Sequence, residues 1–333
     1  MGFFGAIAVG LAALSTAADA GPFTPKSSQG AWVANQVERP FVLPKGWLSV
    51  GVATDTKKST QYRDVRGQLR PQKAGVAWRY TRIWFEVEQG FSQRVTLYGR
   101  APLVSAKLDL ATGGDISTFD VGDAHLGFVT QPWLDGPHSA AFSMDLKTPT
   151  GVEWPSGVGG PGNTESFLTG TGTTNIGLFA HGKLVFFAHL EMGMDLGYVH
   201  KFPAIVGYVE QVGGFGNGVL NPGNELQLNG RLAGQVLRRV ALSVEARLRQ
   251  MGQAEIGVSG SGADTMSPLG HTGGTWVDAQ VGLSVDPSDN WSLEAWVVRD
   301  VEGADTRTFA HLGLEEFAPQ SGWTFGGRAV CRW

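Results

Sequence analysis

The sequence predicts an all-β protein: an antiparallel transmembrane β-barrel of about 12 strands, with short periplasmic turns and long extracellular loops. Three observations carry this prediction. Side chains alternate apolar and polar over most of the chain, the links between the alternating runs are short and long by turns, and the last run ends on an aromatic residue, Trp333. Successive side chains of a strand point to opposite faces, and a barrel in lipid needs one apolar face and one polar face.

A chain of 333 residues with no linker-like stretch reads as one unit. Its formal charge of -4 gives no basic field, which excludes nucleic acid as a partner. The 48 glycines are about twice what an average usage of roughly 7% would give. They fall inside alternating runs, where a missing side chain eases close strand approach. Met1 to Ala20 holds an apolar stretch, Phe3 to Leu14, then small residues and Ala18-Asp19-Ala20. That order reads as a cleaved signal peptide, although its leading residues carry no Lys or Arg. The segment 21–45, with Pro22, Pro25, Pro40 and Pro44, looks extended and either plugs the lumen or trails in the periplasm; 46–333 forms the barrel. A lone Cys331 excludes an internal disulfide and any cysteine-built metal or redox site, and no cofactor is implied. No later stretch approaches the roughly 18 consecutive apolar residues of a spanning helix.

Taken in order, the first strands are Trp47 to Thr54, Val76 to Gln89, Arg94 to Val104, Phe119 to Thr130, Ser139 to Thr148 and Thr173 to Ala180. Leu184 to Leu196 follows, with Leu184, Phe186, Ala188, Leu190, Met192, Met194 and Leu196 facing away from His189, Glu191 and Asp195. From Leu226 to Val236, leucines and glycines share one face and Gln227, Asn229, Arg231 and Gln235 the other. After the turn Arg238-Arg239, Val240, Leu242, Val244, Ala246 and Leu248 oppose Ser243, Glu245, Arg247 and Arg249. Trp276 to Val285 alternates likewise, and the turn from Pro287 to Asn290 leads into Trp291, Leu293, Ala295 and Val297. The final strand, Gly322 to Trp333, sets Trp323, Phe325 and Trp333 opposite Thr324, Arg328 and Arg332. Thr306 to Phe317 reads as an extra strand or as part of the last loop. Short links fall at Gly90 to Gln93, Pro132 to Pro137, His181 to Lys183, Arg238-Arg239 and Pro287 to Asn290. Long ones fall at Asp55 to Lys73, Ser105 to Thr118, Gly151 to Gly172, Lys201 to Gly223 and Gln250 to Thr272. Trp47, Trp78, Trp84, Trp133, Trp154, Trp276, Trp291 and Trp323 mostly lie near strand ends, as an aromatic girdle requires. A soluble β-sandwich would also alternate, but the signal peptide, the loop asymmetry and the terminal Trp favour the barrel.

The polar face supplies the candidate lumen. It carries Arg82, Glu86, Glu88, Arg94, Arg100, Asp123, Asp145, Lys147, Glu191, Asp195, Arg231, Glu245, Arg247, Arg249, Asp278, Glu294, Arg328 and Arg332, in equal numbers of either sign. Isolated charges in a narrow lumen are costly and cross-strand pairs offset the cost, so the balance predicts a salt-bridged, filled or narrow lumen rather than an open ion pore. The long loop after Lys201 is apolar, with Phe202, Ile205, Tyr208 and Phe215, and suits capture of a small hydrophobic molecule. Lys57, Lys58, Arg63, Arg66 and Arg70 lie in the first long loop, within reach of lipopolysaccharide phosphates or simply solvated.

The stretch from Thr81 to Tyr198 carries Gly122-Asp123, Leu126-Gly127, Pro149-Thr150-Gly151, Gly170-Thr171-Gly172 and Gly197-Tyr198. In these short motifs the chain resembles the outer-membrane family associated with the meta pathway of phenol degradation, related to barrels that take up hydrophobic compounds. It departs at Thr173-Thr174-Asn175, where that family tends to place Ser and Asp. The resemblance implies a transporter-like barrel in contact with membrane lipid, and the terminal Trp333 resembles the signal read by the outer-membrane assembly machinery. Two rival classes stand beside transport. One is a structural or adhesive barrel; the other is a lipase-like enzyme, for which His138-Ser139, Asp123 with His125, and His189 with Glu191 are the local candidates.

Overall fold

The computed structural model describes residues 25–26, 31–32, 41–63, 69–71, 75, 77–109, 114–132, 139–151, 173–187, 189–210, 214–253, 255–258, 267–268, 274–302 and 320–333. Among them, twelve antiparallel strands close into a ring. They are β1 (Leu48–Arg63), β2 (Ala77–Ser92), β3 (Val95–Asp109), β4 (Ala124–Thr130), β5 (Ser139–Thr148) and β6 (Asn175–Phe186). The second half comprises β7 (Leu190–Lys201), β8 (Glu225–Leu237), β9 (Val240–Met251), β10 (Gly274–Val285), β11 (Trp291–Glu302) and β12 (Gln320–Arg332). Each strand pairs with the next, and β12 returns to β1 in a register that runs from Gln320↔Tyr62 to Arg332↔Ser49. Closure removes the open edges that a sheet would otherwise expose to lipid.

The ring is apolar outside and polar inside. Phe85, Phe142, Leu178, Met194, Leu228, Val244, Val281 and Phe325 are all exposed, while Arg332, Lys147 and His125 are among the most completely enclosed side chains. In water such a wall would be an unmanageable apolar patch; in a bilayer it faces its natural solvent. The alternation read from the sequence is therefore a lipid wall and a lumen, on the parity expected for β7 to β12.

Strand ends differ from the sequence expectation in instructive ways. β1 runs on to Arg63, so Asp55 and Lys57 belong to the wall and not to a loop. The predicted strand Phe119 to Thr130 is two: Asp115–Val121 pairs with the outer part of β3 and β4 with its inner part, and the chain steps across at Gly122-Asp123. His181 to Lys183 is strand interior, and the chain passes from β6 to β7 between Phe186 and Leu190, with Phe187 and His189 in turn conformation. The alternation misled there because outward positions keep the same parity through the turn, and the turn carries no Gly or Pro. Trp84 and Trp276 are buried on the inner face and are no part of a girdle, whereas Trp291, Trp323 and Trp333 are exposed at strand ends. Trp133, Trp154, Met1 to Ala20 and Thr306 to Phe317 lie outside the described residues. Beyond the long-loop end, Ala204–Glu210, Gly214–Asn221, Glu255–Val258 and Ser267–Pro268 make a separate four-stranded sheet.

Candidate functional site

Every barrel strand contributes inward side chains to the lumen, and most of the charges meet a partner on a neighbouring strand. Arg328 on β12 sits among three carboxylates, with Glu86 at 2.7 Å, Glu88 at 3.5 Å and Glu294 at 3.8 Å. Arg82 meets Asp55 at 2.9 Å, Lys57 meets Asp300 at 2.5 Å, and Lys201 meets Glu225 at 3.0 Å. Arg247 and Arg249 hold Glu245 at 2.9 Å and Asp278 at 3.2 Å, and Arg247 also donates to Gln280 at 2.6 Å. Neutralised in this way, buried charges hold the wall in register, and losing one partner would strand the other in a low-dielectric interior.

Two imidazoles extend the network. His125 Nδ1 lies 2.7 Å from Asp145, which also accepts from Tyr98 at 2.9 Å. His181 bridges three strands: Nε2 lies 2.8 Å from Ser143 Oγ on β5 and Nδ1 lies 2.8 Å from Asp195 on β7, while Asn229 on β8 donates to the same carboxylate at 3.1 Å. Ser143 stands in mid-strand, where the backbone amides are spent on the ladder, so the row offers no pair of N–H groups for an oxyanion. Its evident chemistry is to tie β5 to β8.

Inward glycines make room for inward rings. The Trp296 ring lies against Gly326, Phe179 covers Gly177 and Gly197, and Tyr98 covers Gly127; a Cβ at any of the four would run into the ring. Trp84 is wedged between the guanidinium groups of Arg82 and Arg100, 5.5 and 5.4 Å from its ring, and packs with Ala53, Trp296 and Val298. The middle of the lumen is thus filled on this side.

At the short-turn end, the chain before β1 enters the lumen. Phe41 N–H donates to Gln131 at 2.7 Å and Leu43 N–H donates to Thr96 at 2.6 Å, both on the inner face. Val42 packs with Val129 and Ala141, and the Phe41 ring lies 5.6 Å from that of His181. Gly90 permits the approach, since a Cβ there would collide with the Pro44 carbonyl. Backbone hydrogen bonds from Gly46 to Gly90 and from Gly90 to Trp47 fix the segment in place.

Two of the motifs behind the family resemblance, Gly122-Asp123 and Pro149-Thr150-Gly151, meet at the opposite, long-loop end, while Gly170 to Gly172 lie outside the described residues. Thr150 Oγ1 donates to the Gly122 carbonyl and accepts from Ala124 N–H, each at 2.8 Å. Gly151 N–H donates to Asp123 at 3.2 Å, and Lys147 donates to Asp123 at 2.9 Å and to Thr173 at 3.3 Å. Residues on either side of 152–172 are therefore anchored to one buried ion pair.

Of the predicted lumen residues, Arg82, Glu86, Arg100, Asp123, Asp145, Lys147, Glu191, Glu245, Arg247, Asp278 and Arg328 are buried on the inner face, and Asp195, Arg231 and Glu294 are partly open there. Arg94 is not on that face; it sits exposed in the turn between β2 and β3, one residue before alternation resumes at Val95. Lys57 points to Asp300 in the lumen and away from any loop surface, while Lys58 and Arg70 are exposed. His125 pairs with Asp145 and not with Asp123, which Lys147 holds. His189 is exposed in a turn while Glu191 is buried, and His138 lies outside the described residues. Phe202 is exposed; Ile205, Tyr208 and Phe215 belong to the extra-barrel hairpin, their side chains outside the described residues. Sequence reasoning missed Asp55, Lys57 and Asp300, which a longer reading of the alternation would have reached, and His181 with Ser143, which it assigned to a turn and left unpaired.

No family model matches the chain, and no curated protein matches it. Solved structures do. An outer-membrane channel from Pseudomonas putida F1 superposes with a TM-score of 0.63 at 12% identity, over 88% of this chain and 97% of that one. A deletion mutant of the TodX monoaromatic hydrocarbon channel superposes with a TM-score of 0.50 at 10% identity, over 87% of this chain and 90% of that one. At these identities the likeness is one of fold: the closed barrel of outer-membrane channels.

Proposed function

We propose that this barrel is an outer-membrane channel for small hydrophobic molecules. The observation that carries the reading is a largely ion-paired lumen of both signs whose short-turn mouth is occupied by Phe41, Val42 and Leu43. A pore for hydrated ions works through unpaired rings of one sign and an open water path. Here most charges are answered by a neighbour of opposite sign, and the groups at the mouth are apolar. A solute that sheds little water on entry meets rings and aliphatic carbons there at low cost. One similar fold is itself named a monoaromatic hydrocarbon channel, and the motifs that suggest the phenol-degradation meta-pathway family support the same class of solute.

In this reading the hairpin loop with Phe202, Ile205, Tyr208 and Phe215 captures the solute at the long-loop end. Lys58 and Arg70, with Arg63 and Arg66, meet lipopolysaccharide phosphates, Met1 to Ala20 directs export, and Trp333 is read by the assembly machinery. The test is uptake. Deleting residues 205–215 should cut the uptake of a hydrophobic tracer into proteoliposomes while the barrel still assembles, and planar bilayers should show only small currents. Uptake that persists unchanged would remove the capture role; large, steady ion currents would remove the channel class proposed. A barrel that only adheres is favoured by the four-stranded sheet beyond the long-loop end, and it predicts neither current nor tracer uptake.

A further inference from the structure

The outer wall is indented over β5 to β7. There Ala140, Gly182 and Met194 stand in one register row across three strands, all on the outward face. Gly182 has no side chain and Ala140 only a methyl, so the wall is indented between them, and Leu184, Met192 and Met194 stand as its banks. The hollow has a volume of about 460 Å³. Methionine banks suit an occupant of variable shape, because the unbranched thioether adapts to what it packs against.

Depth selects the occupant. Gly182 is four residues from Phe186, the last residue of β6 at the short-turn end. At about 3.3 Å per residue that is roughly 13 Å along a tilted strand, which places the hollow within the near half of a hydrocarbon core about 30 Å thick. Short turns of an outer-membrane barrel face the periplasm, so the hollow opens into the leaflet built of glycerophospholipid. Phe187 follows β6 at its short-turn end, beyond the hollow on the periplasmic side. It is 91% exposed and held at φ 55°, a left-handed conformation that a bulky residue adopts only under constraint. That position puts an aromatic ring where the glycerol and ester groups of a lipid lie.

The geometry points to a seat for one acyl chain of a periplasmic-leaflet glycerophospholipid, held in the Gly182 hollow with its ester region against Phe187. The occupant follows from the wall on which the hollow opens and from its depth, and it stands apart from whatever passes through the lumen.

Gly182 gives a clean test, since a Cβ built there meets nothing nearer than the Met194 carbonyl oxygen at 3.7 Å. Gly182→Leu therefore fills the hollow without pressing on the backbone. Ala295→Leu, on an outward, exposed position of β11 away from the hollow, is the matched control. Full-length protein extracted in mild detergent is examined by native mass spectrometry with fragmentation of any retained lipid. Wild type and Ala295→Leu should keep one glycerophospholipid, and Gly182→Leu should show a roughly tenfold lower bound-to-free ratio. Ala140→Leu, which fills the same hollow from the other side, should repeat the loss if Gly182→Leu does not assemble. Equal retention by all variants overturns the proposal, as does a wild type that keeps no lipid. Dimers lost only in Gly182→Leu would overturn it too, by making the hollow a contact between two barrels.

Discussion

The lumen has two unlike walls. Along β12, β1 and β2 the interior is crowded: Arg328 holds three carboxylates, Trp84 is wedged between two guanidinium groups, and Trp296 fills the space over Gly326. Across the barrel, the short-turn halves of β7 to β10 present the inward Gly193, Ala233, Ser243, Gly282 and Ser284, while the buried Arg247, Arg249 and Trp276 occupy the long-loop halves. Both walls obey the same alternation, so a period of two decides only which face a residue takes. Residue size and pairing then decide where the barrel is solid and where room is left.

Breaking the crowded wall should have the largest effect. Arg328→Met leaves Glu86, Glu88 and Glu294 without their shared cation. It should cost on the order of 3–5 kcal/mol of unfolding free energy, read as an earlier midpoint in urea for the barrel in detergent; an unchanged midpoint would mean the cluster is hydrated and not structural. A sharper contrast places one methyl in each wall. Gly326→Ala drives a Cβ into the Trp296 ring, whereas at Gly193 the nearest atoms lie 3.6 Å away, in ordinary contact. The first should cost about 1–3 kcal/mol and the second less than about 0.5 kcal/mol. Equal costs would erase the distinction between the walls. The smallest effect belongs to neither wall: Arg239 and Asp289 pair at 2.6 Å in exposed turns, and Arg239→Ala should change stability by about 0–0.5 kcal/mol.

Much of this was legible in the sequence because a barrel wall is a local rule. Leu226 to Val236 and Val240 to Leu248 show their faces residue by residue, and Arg238-Arg239 marks the turn between them. Where the rule says nothing, the reading stopped. It could not see that outward parity carries through Phe187 to His189, so β6 and β7 were divided in the wrong place. Nor could it choose a partner: Asp123 and His125 share a strand face in sequence, yet Asp123 goes to Lys147 and His125 to Asp145, because cross-strand register, not spacing along one strand, brings charges together. The entry of Phe41 to Leu43 into the lumen depends on a contact 90 residues away, at Gln131, which no local pattern encodes.

The seam between the first and last strands sets the order in which such a chain can be made. Leu48 and Trp333 exchange backbone hydrogen bonds of 2.9 and 3.0 Å, so the far end of β12 is what locks the cylinder onto β1. Until it arrives β1 has an open side, and a partly synthesised chain has no lipid-compatible resting state. Insertion must therefore wait until β12 has been made, and a chain that lacks residues 326–333 should fail to insert and be degraded.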